Sequence, residues 1–331
     1  MILSGSLIVL RKPKEIRFQK FAIDTDRLQS SELVAKTLFS AISPGTETAA
    51  YTGKSPLKAG KAYPRVLGYC NVATVLKTGK GVASVKPGDL ILTNQSHRSI
   101  FKIHKNELLA KIPKGADPKQ AALAYLYNLG LNAVQATPLK RGMSVAVIGL
   151  GVLGLASVEM AKNLKLKTSA FSNSAPKLRL AKKLGARSAF LKTRGMRMEK
   201  LADLVVVTSD AWDDWQLALR LVKKHGTISA LGFPGRGVGS PRFNPLDPQY
   251  FYAKQITIVP AGIPREAKTD TGIARGVKKN IQYILRLLER GKLKSKRLIS
   301  GTFDFRNIRK AYAGLLAHDQ KTVTYILQWQ D

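Results

Sequence analysis

Hydrophobic positions in the first third of the chain fall into short extended runs, at residues 33–38, 71–76 and 89–93. Turn-forming clusters such as Ser43-Pro44-Gly45 and Lys86-Pro87-Gly88 divide them. This spacing predicts a β-rich, antiparallel, barrel-like region. The pattern changes at Asp117-Pro118, where an Asp suited to the N-cap and a Pro suited to the first helical position open a helix over 119–127. Beyond it, Val/Ile-rich runs at 145–148, 168–171, 204–207, 227–231 and 256–259 alternate with amphipathic stretches at 152–164, 176–184 and 212–224. Buried strands alternating with helices predict an α/β doubly wound parallel sheet. The tail predicts a long helix over 273–290 closed by Gly291, a second helix over 308–316 and a last strand over 322–327. There is no internal repeat and no low-complexity linker.

At 331 residues the chain exceeds the size at which single cores stop growing, about 250 residues, so two domains are expected. A hydrophobic fraction of 44% supplies core material for both and excludes a wholly disordered chain. No apolar run approaches the roughly 18 residues of a membrane span. The N-terminal apolar stretch precedes Arg11-Lys12-Pro13-Lys14, the reverse of a signal peptide's charge order, so the expected location is the cytoplasm. Cys70, the single cysteine, excludes an intrachain disulfide and any zinc site built on three or four cysteines, and only four histidines remain for a metal.

Charge adds a separate feature: 55 basic against 21 acidic residues give a net +34. That excess suits phosphates, anionic membranes or acidic carrier proteins as partners, or marks a generally basic background. Between residues 162 and 200 twelve basic residues meet one acid, Glu199, so local ion pairs cannot neutralise the stretch. It lacks the interleaved aromatics of a base-stacking platform, which counts against sequence-selective RNA binding.

The sharpest motif is Gly149-Leu150-Gly151-Val152-Leu153-Gly154, placed directly after a predicted strand and opening a predicted helix. Each glycine has a task there: a tight turn at Gly149, close backbone approach to a pyrophosphate at Gly151, and helix-to-strand packing at Gly154. The first-turn N–H groups then face the pyrophosphate. Enzymes that use NAD place a carboxylate at the end of the second strand for the ribose 2′-hydroxyl. Here that strand ends Ser172-Asn173-Ser174, followed by Lys177 and without a carboxylate, which suits the 2′-phosphate of NADP(H). Ser174 also suits the N-cap of the following helix.

These segments resemble the medium-chain dehydrogenase/reductase superfamily, of zinc-type alcohol dehydrogenase-like sequence, over essentially the whole chain. The resemblance is carried by residues 41–47, Leu67-Gly68-Tyr69, residues 79–82 with 85–89, residues 111–113, the glycine loop, residues 180–186 and Leu231-Gly232-Phe233. The Ser43-to-Glu47 and Gly68-Tyr69 segments are most similar to bacteriochlorophyllide-dehydrogenase-like sequences. The resemblance implies a GroES-like β-rich catalytic domain from residues 1–125 and 263–331, a Rossmann NADP-binding domain over 126–262, and an active-site cleft where they meet. It also implies nicotinamide contacts from Asn128 and carboxamide contacts from the backbone near Leu231, Gly232 and Phe233. Thr208 joins the expected cofactor-binding residues, as do Val152 and Leu153 of the loop. The expected assembly is a homodimer.

In zinc-type members the metal is held by a Cys, a His and a third Cys, His or acidic ligand. The matching positions here are Pro44, Tyr69 and a third near Ala124, and the cysteine-rich structural-zinc lobe has no counterpart. No metal is therefore expected. A substitute set of Glu47, Cys70 and His97 has suitable donor types but is disfavoured. Without a Lewis acid, reduction still needs a group that stabilises developing oxyanion charge and a proton source. Tyr69 is the first candidate, Thr46 stands at the family's proton-relay hydroxyl, and His97 and Tyr51 follow; a Tyr69 that merely fills the vacated metal position is the plain alternative.

The expected activity is a zinc-independent, NADPH-dependent oxidoreductase. It would move hydride to a carbonyl or activated C=C of a small or acidic carrier-linked substrate. Two readings stay open: oxidation of a secondary alcohol with NADP, and a catalytically reduced member that binds nucleotide and RNA. Nucleic acid is the less favoured partner.

Overall fold

The computed structural model describes residues 1–57, 61–261, 268, 269, 272, 273, 275–317 and 319–329. The chain divides into two compact units, Met1–Tyr125 with Glu266–Asp331, and Leu126–Arg265. The chain's expected return to the first domain at residue 263 lies outside the described residues.

The first unit opens with an antiparallel hairpin, Ile2–Lys12 against Glu15–Asp24. Ile8 and Leu10, two apart and so on one strand face, are fully buried with Ile16 beside them. Their cluster includes Phe305 and Trp329, whose rings stack at 4.3 Å, so residues from both chain ends share one core. The larger sheet of this unit is organised by Glu32–Ala41, which pairs antiparallel with Asn71–Thr78, Ile100–His104 and the C-terminal strand Thr324–Gln328. Three partners explain why this strand runs well past the short apolar run at 33–38. Ser43-Pro44-Gly45, expected as a turn, instead starts the helix Pro44–Thr52: proline takes the first turn, where its missing N–H costs nothing, and Gly53 at φ 76° ends it. The helix expected over 119–127 is two pieces, Pro118–Ala121, capped by Asp117, and Ala124–Val134. The C-terminal helix spans Arg275–Glu289, with Gly291 left-handed at φ 62°.

The second unit is a six-stranded parallel sheet. Its order is Ser188–Leu191, Lys167–Ser172, Ser144–Ile148, Ala202–Val207, Val222–Ala230 and Thr257–Pro260. By chain order this is 3-2-1-4-5-6, the Rossmann order, with the switch point beside the strand that precedes the glycine loop. Val145, Ala146, Val147 and Ile148 are all at most 1% exposed, as a central strand covered on both faces requires. The strand Ser188–Leu191 and the helical turn Lys192–Gly195 add two elements that the apolar pattern does not mark.

The helix expected over 212–224 stops at Leu221, and Val222 begins the next strand. Its pairing shifts between Ala202 and Leu204, leaving a bulge in which His225 has φ 59°. The buried Lys254 ends that helix by donating its ammonium to the carbonyls of Leu219, Arg220 and Val222 at 2.6 to 2.9 Å. A long-range cap of this kind leaves no signal in local periodicity.

Candidate active site

In the second unit, Ser144–Ile148 delivers the chain to Gly149, which adopts φ 86° where a side chain would strain. A Cβ on Gly154 would lie 1.9 Å from the Gly149 carbonyl oxygen, so the helix Val152–Asn163 can seat against the turn only with glycine there. Gly151 is different: a Cβ would meet nothing within 4 Å, and the residue is exposed. Two glycines thus serve packing, while the third leaves an open approach to the N-terminus of a twelve-residue helix. Val152 and half-buried Leu153 form that first turn. Thr208 donates to the carbonyls of Ile148 and Gly149, at 3.2 and 2.8 Å, and so pins the turn from the neighbouring strand's end.

At the end of Lys167–Ser172, the Ser174 backbone N–H donates to Ser172 Oγ at 3.1 Å, and Ser174 Oγ accepts from the Lys177 N–H as N-cap. Asn173 is exposed and Lys177 half-buried beside them. Ser172 Oγ acts here as acceptor, which leaves its proton to donate. In the turn after Ala202–Val207 and Val222–Ala230, Leu231 and Gly232 both donate their N–H to the Val207 carbonyl, at 2.9 and 3.0 Å. The Phe233 N–H donates to Asp210 at 3.3 Å. What this turn can offer a carboxamide is therefore its carbonyls. Asn128 is fully buried, and among the described residues neither atom of its amide has a hydrogen-bond partner. A buried orphan amide costs about 1–3 kcal/mol, so it marks a position where a ligand's polar group belongs. The open approach at Gly151 and the orphan at Asn128 both fit a dinucleotide.

In the first unit the turn into Pro44–Thr52 gathers the candidate chemistry. Tyr69 donates its hydroxyl to Ser43 Oγ, with Thr46 as a further hydrogen-bond partner, and its ring meets Tyr125 edge-on at 5.6 Å. Burial pushes the Tyr69 hydroxyl well above the usual tyrosine range, with Cys70 and Glu47 adding to the shift and Ser43 and Thr46 opposing it. Tyr69 thus stays a phenol at neutral pH and acts as a donor. Ser43, given no site role by the sequence although it lies in the 41–47 segment, holds the Tyr69 hydroxyl, and Tyr125, which no motif marks, packs beside it.

Beneath this turn lies a closed polar network. The Glu47 carboxylate, 2% exposed, accepts from the Ser43 N–H at 2.7 Å and the Tyr312 hydroxyl at 2.7 Å, and His97 Nε2 stands 2.9 Å away. His97 is fully buried, and its Nδ1 lies 2.8 Å from Ser40 Oγ, which also accepts from Trp329 Nε1. Gly68 covers the imidazole so closely that a Cβ there would lie 2.6 Å from it. Tyr51 packs its ring on Tyr312 at 5.0 Å. Both His97 nitrogens and both Glu47 oxygens are therefore spent on holding the turn, Tyr51 is a packing partner within this layer, and Tyr69 with Thr46 stands above it.

The fold's zinc does not fit this donor set. Pro44 and Ala124 offer no side-chain donor, Glu47 and His97 are engaged by their neighbours, and among the described residues no group of three His, Cys, Asp or Glu could hold a metal.

A family model described as "Zinc-binding dehydrogenase" matches residues 152–275. Sorbitol dehydrogenase of Bacillus subtilis is 28% identical over 177 residues, covering 50% of this chain and 47% of that protein. Alcohol dehydrogenase of Geobacillus stearothermophilus is 24% identical, covering 67% of this chain and 76% of that one. The match to the first of these spans about half its length. Among solved structures, a putative zinc-binding dehydrogenase of Sinorhizobium meliloti bound to NADP aligns with TM-score 0.78 at 18% identity, covering 98% of this chain and 99% of that one. An Escherichia coli alcohol dehydrogenase complexed with NADH aligns with TM-score 0.77 at 18% identity and the same coverage. The fold is that of these dehydrogenases, a GroES-like β-rich unit and a Rossmann unit. The family model covers residues 152–275 of this chain, and these relatives are dehydrogenases at 28% and 24% identity.

Proposed function

We propose that the protein is a zinc-independent, NADPH-dependent oxidoreductase that reduces a carbonyl or an activated C=C of a small or acidic carrier-linked substrate. The observation that carries the reading is the glycine loop, packed at Gly149 and Gly154 and open at Gly151. The loop, Asn128 and the carbonyls near Leu231 and Phe233 would hold the cofactor, with Ser172, Asn173, Ser174 and Lys177 meeting its 2′-phosphate. When bound, NADPH supplies the hydride. Relatives in this fold carry either NADP or NADH, so the preference rests on the missing carboxylate at the end of Lys167–Ser172 and on the cation at Lys177.

Tyr69 supplies the hydrogen bond to the substrate oxygen as negative charge develops there, its one proton turning to that oxygen from Ser43 Oγ. Its raised proton affinity keeps the phenol intact, so it stabilises charge by donation rather than by acting as a base. Ser43 and Thr46 hold the hydroxyl in place, and Thr46 offers the route by which a proton reaches the oxygen. Glu47 and His97 fix the turn that carries both. The relatives are named as alcohol and sorbitol dehydrogenases, which favours the oxidising direction; oxidation of a secondary alcohol would use the same residues in reverse.

Fluorescence titration of both cofactors tests the reading: NADPH should bind more tightly than NADH. Ser172→Asp should weaken NADPH by a like-charge cost on the order of 1–3 kcal/mol, roughly 5- to 150-fold. Equal affinities for the two cofactors in the unaltered protein would sink the NADPH assignment, and a panel of ketones, aldehydes and enones with NADPH depletion then identifies the substrate class.

A further inference from the structure

The parallel sheet of the second unit has two edges, and only the one at the strands' C-terminal ends belongs to the glycine loop. At the opposite edge the chain turns into Ser144–Ile148, Lys167–Ser172, Ser188–Leu191 and Ala202–Val207, four neighbouring strands. Those turns carry Lys140 and Arg141, then Lys165 and Lys167, then Arg187, then Lys200, all exposed. Lys162, Lys182 and Lys183 stand at helix ends beside them. The acids at this edge are Glu199 and Asp203, already paired with Arg220 at 2.8 Å and Lys223 at 2.9 Å.

Cations at helix C-termini complement the helix dipole, which accounts for the lysines in the last helical turns and for Lys254. It does not account for Lys165, Lys167, Arg187 or Lys200, which lie outside the helices. The backbone gives a second observation: Lys165 and Lys200 hold φ 60° and 50°, and His225 in the adjacent bulge holds φ 59°. Left-handed positions favour glycine or asparagine, and here each carries a basic-type side chain despite the strain.

We propose that this edge is a docking surface for the phosphate backbone of double-stranded nucleic acid, engaged without regard to base sequence. Adjacent strands about 4.8 Å apart spread the four turns over about 14 Å, so the cations can meet successive phosphates of one duplex. None of the exposed large apolar side chains lies in these turns. A protein interface would need such side chains as buried anchors and a membrane surface as wedges, whereas phosphate contacts need only the cations. The surface is independent of the cofactor reading, since it occupies the other edge of the sheet.

Fluorescence anisotropy with a labelled DNA duplex of arbitrary sequence, across a salt series, tests the proposal. Affinity should fall with a log–log salt slope of about −4, as expected when four or five phosphates are neutralised. The variant Lys165→Glu/Lys167→Glu/Arg187→Glu should bind roughly 30-fold more weakly or worse at low salt, with a shallower slope. Its NADPH titration should be unchanged, which shows that the unit is folded. A control, Lys80→Glu/Lys86→Glu/Lys114→Glu, reverses as many exposed cations in the first unit and should keep the affinity within about 3-fold. If the charge-reversed variant does not fold, the corresponding glutamine variant should still flatten the salt slope. Absence of duplex binding at low salt, equal losses in the two variants, or stronger capture by phosphatidylserine vesicles than by duplex would each overturn the proposal.

Discussion

The glycine loop of the second unit and the hydroxyl cluster of the first are built on different principles. The loop is a property of the backbone: Gly149 supplies a left-handed turn, Gly154 a contact that no Cβ tolerates, and Gly151 an open approach. Its chemistry comes from N–H groups that every residue but proline possesses, so it depends on glycine spacing and little else. The cluster at Tyr69 is a property of side chains. Its fold is retained while Pro44, Tyr69 and Ala124 stand where the resemblance implies metal ligands, and a network under Glu47 holds the turn in their place. A backbone site persists or fails as a unit. A side-chain site can change its chemistry one residue at a time within the same frame.

The loop offers the most forceful way to break this contrast. Gly154→Ala places a Cβ against a backbone oxygen, so NADPH affinity should fall by more than about 100-fold with a stability loss of about 1–3 kcal/mol or more. Gly151→Ala has room for its methyl group and should leave the melting temperature unchanged while weakening NADPH. Titration and thermal melts on the pair separate packing from approach; equal melting temperatures for the two variants would contradict the assignment of roles.

Tyr69→Phe sharpens the side-chain half. Loss of the hydroxyl should reduce turnover on the order of 100-fold by analogy with deletion of one oxyanion donor, with cofactor affinity unchanged. Thr46→Val should act on the same path, so the double variant should fall short of the summed effects. Single-turnover rates at saturating NADPH measure both. Near-full rate in Tyr69→Phe would make the ring a filler of the vacated metal position.

The same contrast explains what could be read from the sequence. Val145 to Ile148 followed by Gly149, Gly151 and Gly154 reveals the Rossmann unit because the pattern and the physics are both local. The lack of a carboxylate after Phe171 is equally visible. Pro44–Thr52, by contrast, reads as a turn, because Ser43-Pro44-Gly45 serves a turn and a helix start alike and the surrounding packing decides between them. His97 attracts attention as a functional group on residue type alone. Only the fold shows that Ser40, Glu47 and Gly68, distant in sequence, enclose it. Ser43 as the holder of the Tyr69 hydroxyl, and Lys254 as the cap of a helix that ends at Leu221, are long-range arrangements of the same kind.

A smaller effect follows from the buried phenols. Tyr69, Tyr127 and Tyr312 are raised above the tyrosine range, and burial pushes Tyr125 up to about 12. Their unfolded forms ionise near pH 10, while the folded forms resist. Stability from this source is fully present below pH 10 and is lost as pH rises from there through the folded values. Denaturant unfolding should therefore be level across neutral pH and decline above pH 10, and Tyr125→Phe should make the decline shallower; a decline that starts below pH 9 would point to other groups.

Under the proposed function, side-chain hydroxyls act in this fold where zinc-type members place a metal. Elemental analysis of the dialysed protein, paired with NADPH turnover before and after chelation, tests it most directly. Zinc should stay far below one per chain, with turnover unchanged by the chelator. One tightly held zinc per chain, with activity lost on its removal and restored on its return, would contradict it.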